Sequence, residues 1–176
     1  MRKVILYIAT SLDGYIARED GRVDWLSGDG SDPSSDYGYE KFYETIDTVI
    51  MGRTSYDQII NDLSPDKWVY EDKDSYVVTT KQHNEDKNVK FIREDVCDFI
   101  KELKSIPGEN IWIVGGSKLV DILMKKNLID EYIITVIPTI LGNGMGLFKG
   151  NNPEIKLKLK ETAVYNGAVM MHYVNI

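Results

Sequence analysis

Apolar and polar positions follow two alternating periods along most of the chain. Residues 4–10 form a short apolar run of strand length, and Tyr39, Phe42, Tyr43 and Ile46 then recur at helical spacing before residues 48–51 return to a buried-strand pattern. The same alternation continues with a helix over 55–63, strands over 76–79 and 89–92, and a helix face made by Val96, Phe99, Ile100 and Leu103. Pro107-Gly108 stops that helix. A strand over 111–114 follows, then a helix over 117–126 with Leu119, Ile122 and Leu123 inward, then a strand over 132–137. The pattern changes at the end, where 155–165 and 169–174 are strand-like runs joined by Asn166-Gly167, the strongest short hairpin signal. Alternation closed by a hairpin predicts a single α/β domain: a mostly parallel central sheet, helices on both faces and an antiparallel C-terminal edge. Its site belongs outside the carboxyl ends of the strands. The long stretch without periodicity, residues 11–38, is rich in Asp, Gly and Ser, and a segment of that kind is either functional or disordered.

Charge and composition narrow the partners. The net charge of -7 opposes nucleic acid and acidic bilayers, which need clustered positive charge. Lysines over 156–160 alternate with leucine, the signature of a strand with one solvated face. A single cysteine, Cys97, excludes an internal disulfide, and with His83 and His172 as the only histidines no metal centre is expected. The apolar run after Met1-Arg2-Lys3 is short, and no stretch approaches the roughly twenty apolar residues of a membrane span, so a cytoplasmic protein is expected.

Two strand-to-helix turns share one chemistry: Met51-Gly52-Arg53-Thr54-Ser55 and Val114-Gly115-Gly116-Ser117-Lys118. In each, glycine allows close backbone approach and a hydroxyl residue follows at a helix start, whose free N–H groups attract anions. Either alone is a routine turn and cap. Placed at equivalent strand ends, the pair can hold a pyrophosphate from two sides. Neither turn fits G-x-G-x-x-G, and no P-loop occurs, so a standard Rossmann or NTPase reading fails.

The stretch Ile8-Ala9-Thr10-Ser11-Leu12-Asp13-Gly14-Tyr15-Ile16-Ala17, then Trp25, Met51-Gly52-Arg53-Thr54-Ser55-Tyr56, Val77-Val78-Thr79-Thr80 and Ile113-Val114-Gly115-Gly116 resemble, in order and spacing, the dihydrofolate-reductase-like superfamily. Within it, Ser11-Leu12-Asp13-Gly14 with Trp25, and Pro138-Thr139-Ile140-Leu141-Gly142-Asn143-Gly144, look like the pyrimidine reductase domain of riboflavin synthesis. One departure is Val114, where that family commonly has Glu.

The resemblance implies an NADPH-dependent reductase of a small heterocycle: a riboflavin-pathway pyrimidine of the 5-amino-6-(5-phosphoribosylamino)uracil type, or alternatively dihydrofolate or another pterin. It implies Ala9 and Ile16 beside the nicotinamide, and Gly52, Arg53, Thr54, Ser55, Gly115, Gly116, Ser117, Lys118 and Leu119 at the phosphates. Arg53, Thr79 and Thr80 would lie near the adenosine 2′-phosphate, and Gly115-Gly116 would be a cis peptide. The acceptor would lie between the first strand and the helix near Tyr39, walled by Trp25, Tyr43 and Thr135, with Asp13 capping the turn or touching substrate. A sugar phosphate would find Arg18, Arg22 and Lys41. The proton would come from a carboxyl, Asp36 before Glu40, or from ordered water. Homodimers occur among such domains, and the apolar strand over 132–137 could contribute to an interface. A non-catalytic NADPH sensor is the rival reading.

Overall fold

The structure, a computed structural model, describes residues 1–81 and 85–176. His83, weighed above as a metal ligand, lies outside the described residues. The elements in chain order are β1 (Val4–Ser11), β2 (Tyr15–Ala17), α1 (Tyr39–Tyr43), β3 (Ile46–Gly52), α2 (Arg53–Gln58), β4 (Asp74–Val78), β5 (Lys90–Ile92), α3 (Val96–Ser105), β6 (Asn110–Gly115), α4 (Ser117–Lys125), β7 (Glu131–Ile137), β8 (Met145–Gly146), β9 (Leu157–Tyr165) and β10 (Ala168–Asn175). An eight-stranded sheet has the order β5-β4-β3-β6-β1-β7-β10-β9, and β2 pairs with β8 apart from it. All pairings from β5 through β7 are parallel, whereas β10 and β9 run antiparallel. The expected mostly parallel sheet with a closing hairpin is what forms.

A parallel strand covered on both faces must be apolar on both faces. In β1, Val4 and Leu6 join Ile50, Ile111 and Ile113 beneath Ile100, Leu103, Leu119 and Leu123 of α3 and α4. Ile5 points the other way, into a cluster with Val49, Met51, Trp112 and Ile133 beneath Phe42 of α1, Tyr56 of α2, Trp68 and Tyr70. The aromatics expected to pack do so, with Tyr70 and Trp112 ring centroids 5.3 Å apart.

Several boundaries differ for identifiable reasons. The helix expected over 55–63 is α2 continued by a π-helical turn over Ile59–Leu63. The buried stripe of α4 is Leu119, Val120, Leu123 and Met124. Ile122 lies on the far side of that stripe and is exposed, since positions i, i+1, i+4 and i+5 share one face at 3.6 residues per turn. The strand proposed for a dimer interface is interior: β7 is enclosed between β1 and β10. The hairpin turn has Asn166 and Gly167 both at positive φ, 47° and 74°, the conformation that selects Asn-Gly. Among the described residues no helix is long and apolar enough to cross a membrane.

Two charged groups are buried at the amino-terminal ends of the parallel strands. Arg2 donates from Nε to the Glu109 carbonyl at 2.7 Å and from Nη2 to Thr48 Oγ1 at 2.6 Å, and it pairs with Asp47. Glu131, at the start of β7, accepts from Lys3 Nζ at 2.5 Å, contacts His172 Nε2 at 2.6 Å and lies 3.5 Å from Lys160 Nζ. Burial alone would raise the Glu131 pKa, but hydrogen bonds from Lys3 and His172 and the nearby lysine charges outweigh it and hold the carboxyl below its ordinary value. A depressed folded pKa contributes stability above the unfolded value, and that contribution is lost as pH falls through the folded one. Glu131→Gln is therefore expected to cost about 2 kcal/mol at neutral pH. It should also flatten the decline in stability on acidification below the ordinary Glu pKa of about 4.3, as measured by urea unfolding across pH.

Candidate active site

Strands β3 and β6 are parallel neighbours, and their register shifts near the carboxyl end: Ile50 faces Ile113, but Met51 faces Gly115. Val114 is the extra residue. This irregularity sets the two glycine turns side by side, so that a Cβ built on Gly52 would lie 3.6 Å from the Gly116 nitrogen. Gly115 has φ of 140°, a conformation open to glycine, and the Gly115-Gly116 peptide is cis, as the resemblance implied. Ser55 Oγ lies against both: a Cβ on Gly115 or Gly116 would meet it at 3.7 and 3.6 Å. Gly52 and Gly116 are the N-caps of α2 and α4, and neither start has a side-chain cap. The first-turn N–H groups of two helices therefore face one glycine-lined cleft, a setting suited to an anion.

The other residues assigned to a dinucleotide flank that cleft unequally. Ser117 is half-buried, Lys118 and Thr54 are exposed, and Leu119 is a core residue whose amide donates to the Gly116 carbonyl at 3.0 Å. Arg53 donates from Nε to Asp57 Oδ1 at 2.6 Å, with its guanidinium carbon 5.5 Å from the Tyr56 ring centroid. Thr79 is buried at the end of β4, where its Oγ1 accepts from the Lys81 amide at 3.1 Å, and Thr80 is exposed beside it. Ala9 packs with Trp25 on one face of the sheet, whereas Ile16 packs against the cluster beneath α3 and α4, so the two approach the end of β1 from opposite sides.

On the other side of β1, Ala9 faces Thr135 in the adjacent strand β7, and Trp25 packs with Ile137 and Ala168, with Ala9 against them. Trp25 and Thr135 are thus brought together. Tyr43 is not: it lies just before β3, at the amino-terminal edge of the sheet, stacked between Tyr39 and Tyr70 with its hydroxyl donating to Asp72 at 2.6 Å. Helix α1 is too short to carry Tyr43 back to the other edge. A surface hollow of about 480 Å³ lined by Trp68, Asp74, Asp86 and Lys90 lies at that same edge, away from the glycine turns.

Asp13 has a capping geometry. Its carboxylate accepts from Ser11 Oγ at 2.6 Å and from the Leu141 and Gly142 amides at 3.1 and 2.7 Å. The Ser11 hydroxyl first, then those amides, hold the carboxyl below its ordinary value. Asp36 is likewise a cap: it accepts from the Glu40 and Gly38 amides, both at 2.9 Å, and these bonds lower its pKa. That is the opposite direction from what a proton donor near neutrality requires. Glu40 is exposed on α1. Arg18 and Arg22, the cations available to a sugar phosphate, donate to Asp24 and Asp20 at 2.6 and 2.7 Å, and Lys41 is exposed on α1.

Tyr37 and Asn166 were not anticipated as site residues. The Tyr37 hydroxyl accepts from the Gly28 amide and from Asn166 Nδ2, and Tyr37 packs against the cluster of Trp25, Ile137 and Ala168. Tyr37 lies in a stretch without periodicity and Asn166 reads only as a turn, so sequence carried no signal for either.

A mostly parallel sheet with paired glycine turns and a closing antiparallel hairpin defines a reductase-type α/β fold, that of dihydrofolate reductase. The structure is similar to dihydrofolate reductase from Enterococcus faecalis complexed with NADP(H), with a TM-score of 0.70 at 16% identity, covering 98% of this chain and 96% of that one. The chain belongs to the RibD C-terminal domain family, which it matches over residues 2–171. It is similar to a putative riboflavin biosynthesis protein from Shewanella sp. PV-4, with a TM-score of 0.85 at 29% identity over 99% of each chain. It is also 48% identical over 174 residues to the uncharacterized protein YwjB of Bacillus subtilis (strain 168), covering 98% of both.

Asp13→Ala should release the Leu141 and Gly142 amides, seen as faster hydrogen exchange at those two positions with Ser117 and Leu119 unchanged. Unaltered exchange at Leu141 and Gly142 would show that the loop is held by other contacts.

Proposed function

We propose that the protein is an NADPH-dependent reductase of a small nitrogen heterocycle. A riboflavin-pathway pyrimidine of the 5-amino-6-(5-phosphoribosylamino)uracil type is the first candidate acceptor, and dihydrofolate or another pterin the second. The observation that carries the reading is the juxtaposition of Gly52 and Ser55 with Gly115 and Gly116 at two uncapped helix starts. Those residues fit a pyrophosphate: the cleft is lined by backbone and one hydroxyl, and a side chain at either glycine turn would narrow it. The family and the NADP(H) complex of the Enterococcus enzyme support the same cofactor class.

In this reading Gly52, Thr54, Ser55 and the amides at the start of α4 hold the phosphates, and Arg53, Thr79 and Thr80 take the adenosine end. When bound, NADPH supplies the hydride equivalent. Ala9 borders the nicotinamide, and Thr135 in the neighbouring strand and Trp25 wall the acceptor side. In this reading ordered water delivers the proton, since Asp36 and Asp13 are both engaged as caps and Glu40 is exposed on α1. The protein acts in the cytoplasm.

Oxidation of NADPH, followed by its absorbance with the riboflavin-pathway pyrimidinones and with dihydrofolate, tests the assignment. Turnover of one of them supports it; tight NADPH binding with no acceptor reduced would instead fit a nucleotide sensor.

Two substitutions refine the reading. A charge-assisted contact contributes about 1.5–3 kcal/mol, so Arg53→Ala should weaken NADPH roughly ten- to a hundredfold and leave NADH nearly unchanged in a binding titration. Equal weakening of both would place Arg53 at the shared pyrophosphate. Asp36→Asn should leave the pH profile of kcat unchanged if water delivers the proton. Loss of turnover at neutral pH with unchanged NADPH affinity would return the proton to Asp36.

A further inference from the structure

We infer that Asn166, at the tip of the β9–β10 hairpin, is a positioning residue for the acceptor side, acting through Tyr37. The inference rests on the reading of the Trp25 side as the acceptor site. A type I′ turn requires only that its two central residues adopt positive φ. Asn166 meets that requirement with its backbone, and both ends of its side chain are used elsewhere. Its Oδ1 accepts from the Asp32 amide at 2.9 Å, and its Nδ2 donates to the Tyr37 hydroxyl at 2.7 Å. Its backbone carbonyl also accepts from the Asp29 amide at 2.9 Å.

Three points of the strap formed by residues 26–38 are therefore held by one residue. The Tyr37 hydroxyl closes a fourth by accepting from the Gly28 amide at 2.8 Å. The approach is tight. A Cβ on Gly28 would lie 1.9 Å from the Asn166 carbonyl oxygen, and one on Gly167 would lie 2.3 Å from the Asp29 carboxylate. Tyr37 passes this restraint inward, because it packs against the cluster of Trp25, Ile137 and Ala168 and its carbonyl accepts from the Tyr7 hydroxyl at 3.3 Å. Trp25 is itself buried, with an indole N–H that has no partner among the described residues. Neighbouring hydrogen bonds do not fix that ring, so it takes its place from packing, to which Tyr37 contributes beside Ile137 and Ala168. The cofactor turns lie in β3 and β6, on the other side of β1, and are built from sheet backbone. Releasing Asn166 should loosen the acceptor wall and spare the cofactor cleft.

Asn166→Gly removes the side chain and keeps the positive φ, so the turn survives. Hydrogen exchange should then quicken at Asp32, and at Gly28 through the released Tyr37 hydroxyl, by about tenfold or more, the scale of two hydrogen bonds lost, whereas Asp29, bonded to the retained backbone carbonyl, should change less. The β10 amides of Val169 to Val174 should keep their protection, and NADPH affinity should not change. Tyr37→Phe, which keeps the ring and removes the hydroxyl, should speed Gly28 alone or most. With any acceptor that the wild type reduces, Asn166→Gly should raise KM more than it lowers kcat. Wild-type exchange at Asp32 and Gly28 in Asn166→Gly would overturn the inference, and so would equal loss of protection along β10, since Asn166 would then be only a turn residue. If the wild type reduces no acceptor, the reductase reading fails, and the exchange pattern still decides whether Asn166 holds the strap.

Discussion

The parallel pairing of β3 with β6 is the constraint on which the site depends. The two glycine turns come side by side only if the strands that feed them are adjacent, point the same way and end level. The register irregularity at Val114 does the levelling, bringing Gly115 opposite Met51. Burial on both faces holds the pair in place: Ile50 and Ile113 lock one side beneath α3 and α4, and Val49 and Trp112 lock the other. A one-residue slip would turn each of those side chains to the wrong face, so the apolar pattern that specifies the fold also specifies the distance between the glycines.

The two halves of the site are held by different forces. Around the glycines the walls are backbone within the sheet, fixed by ladder hydrogen bonds and core packing. Around Trp25 the walls belong largely to loops, fixed by a few polar side chains: Asp13 on Leu141 and Gly142, Asp36 on Gly38 and Glu40, and Tyr37 on Gly28. Exposed hydrogen bonds with little apolar burial open at lower free energy than sheet core. One half can thus stay preorganised while the other adjusts to what enters it.

How much of this was legible in the sequence follows the same division. Strands buried on two faces, the helices over them and the Asn-Gly hairpin all leave periodic or local signals, and these were read close to their observed bounds. The glycine turns were legible because backbone approach demands a particular residue type. Tyr43 was misplaced because helical spacing says which face a residue shares and not which end of the sheet it reaches, and α1 has only five residues. Asp36 as a donor follows from the family resemblance alone; its bonds to the Gly38 and Glu40 amides depend on the positive φ of Tyr37 and Gly38, which no periodicity reveals. The Asn166 contacts join segments far apart in the chain, and a loop without period gives no register from which to infer them.

The central position of β1 also governs the order in which this molecule can assemble. Its first three core residues find partners in β6, about a hundred residues downstream, and then in β7, later still. Loop-closure entropy must be overcome before those contacts return anything, and sheets dominated by such distant pairings fold slowly. Until β6 and β7 are made, β1 is an apolar segment with both edges unpaired, the kind of surface that invites association with other chains. The strand at the centre of the finished sheet is thus an early apolar segment that must wait for the later half of the chain before both of its edges are covered.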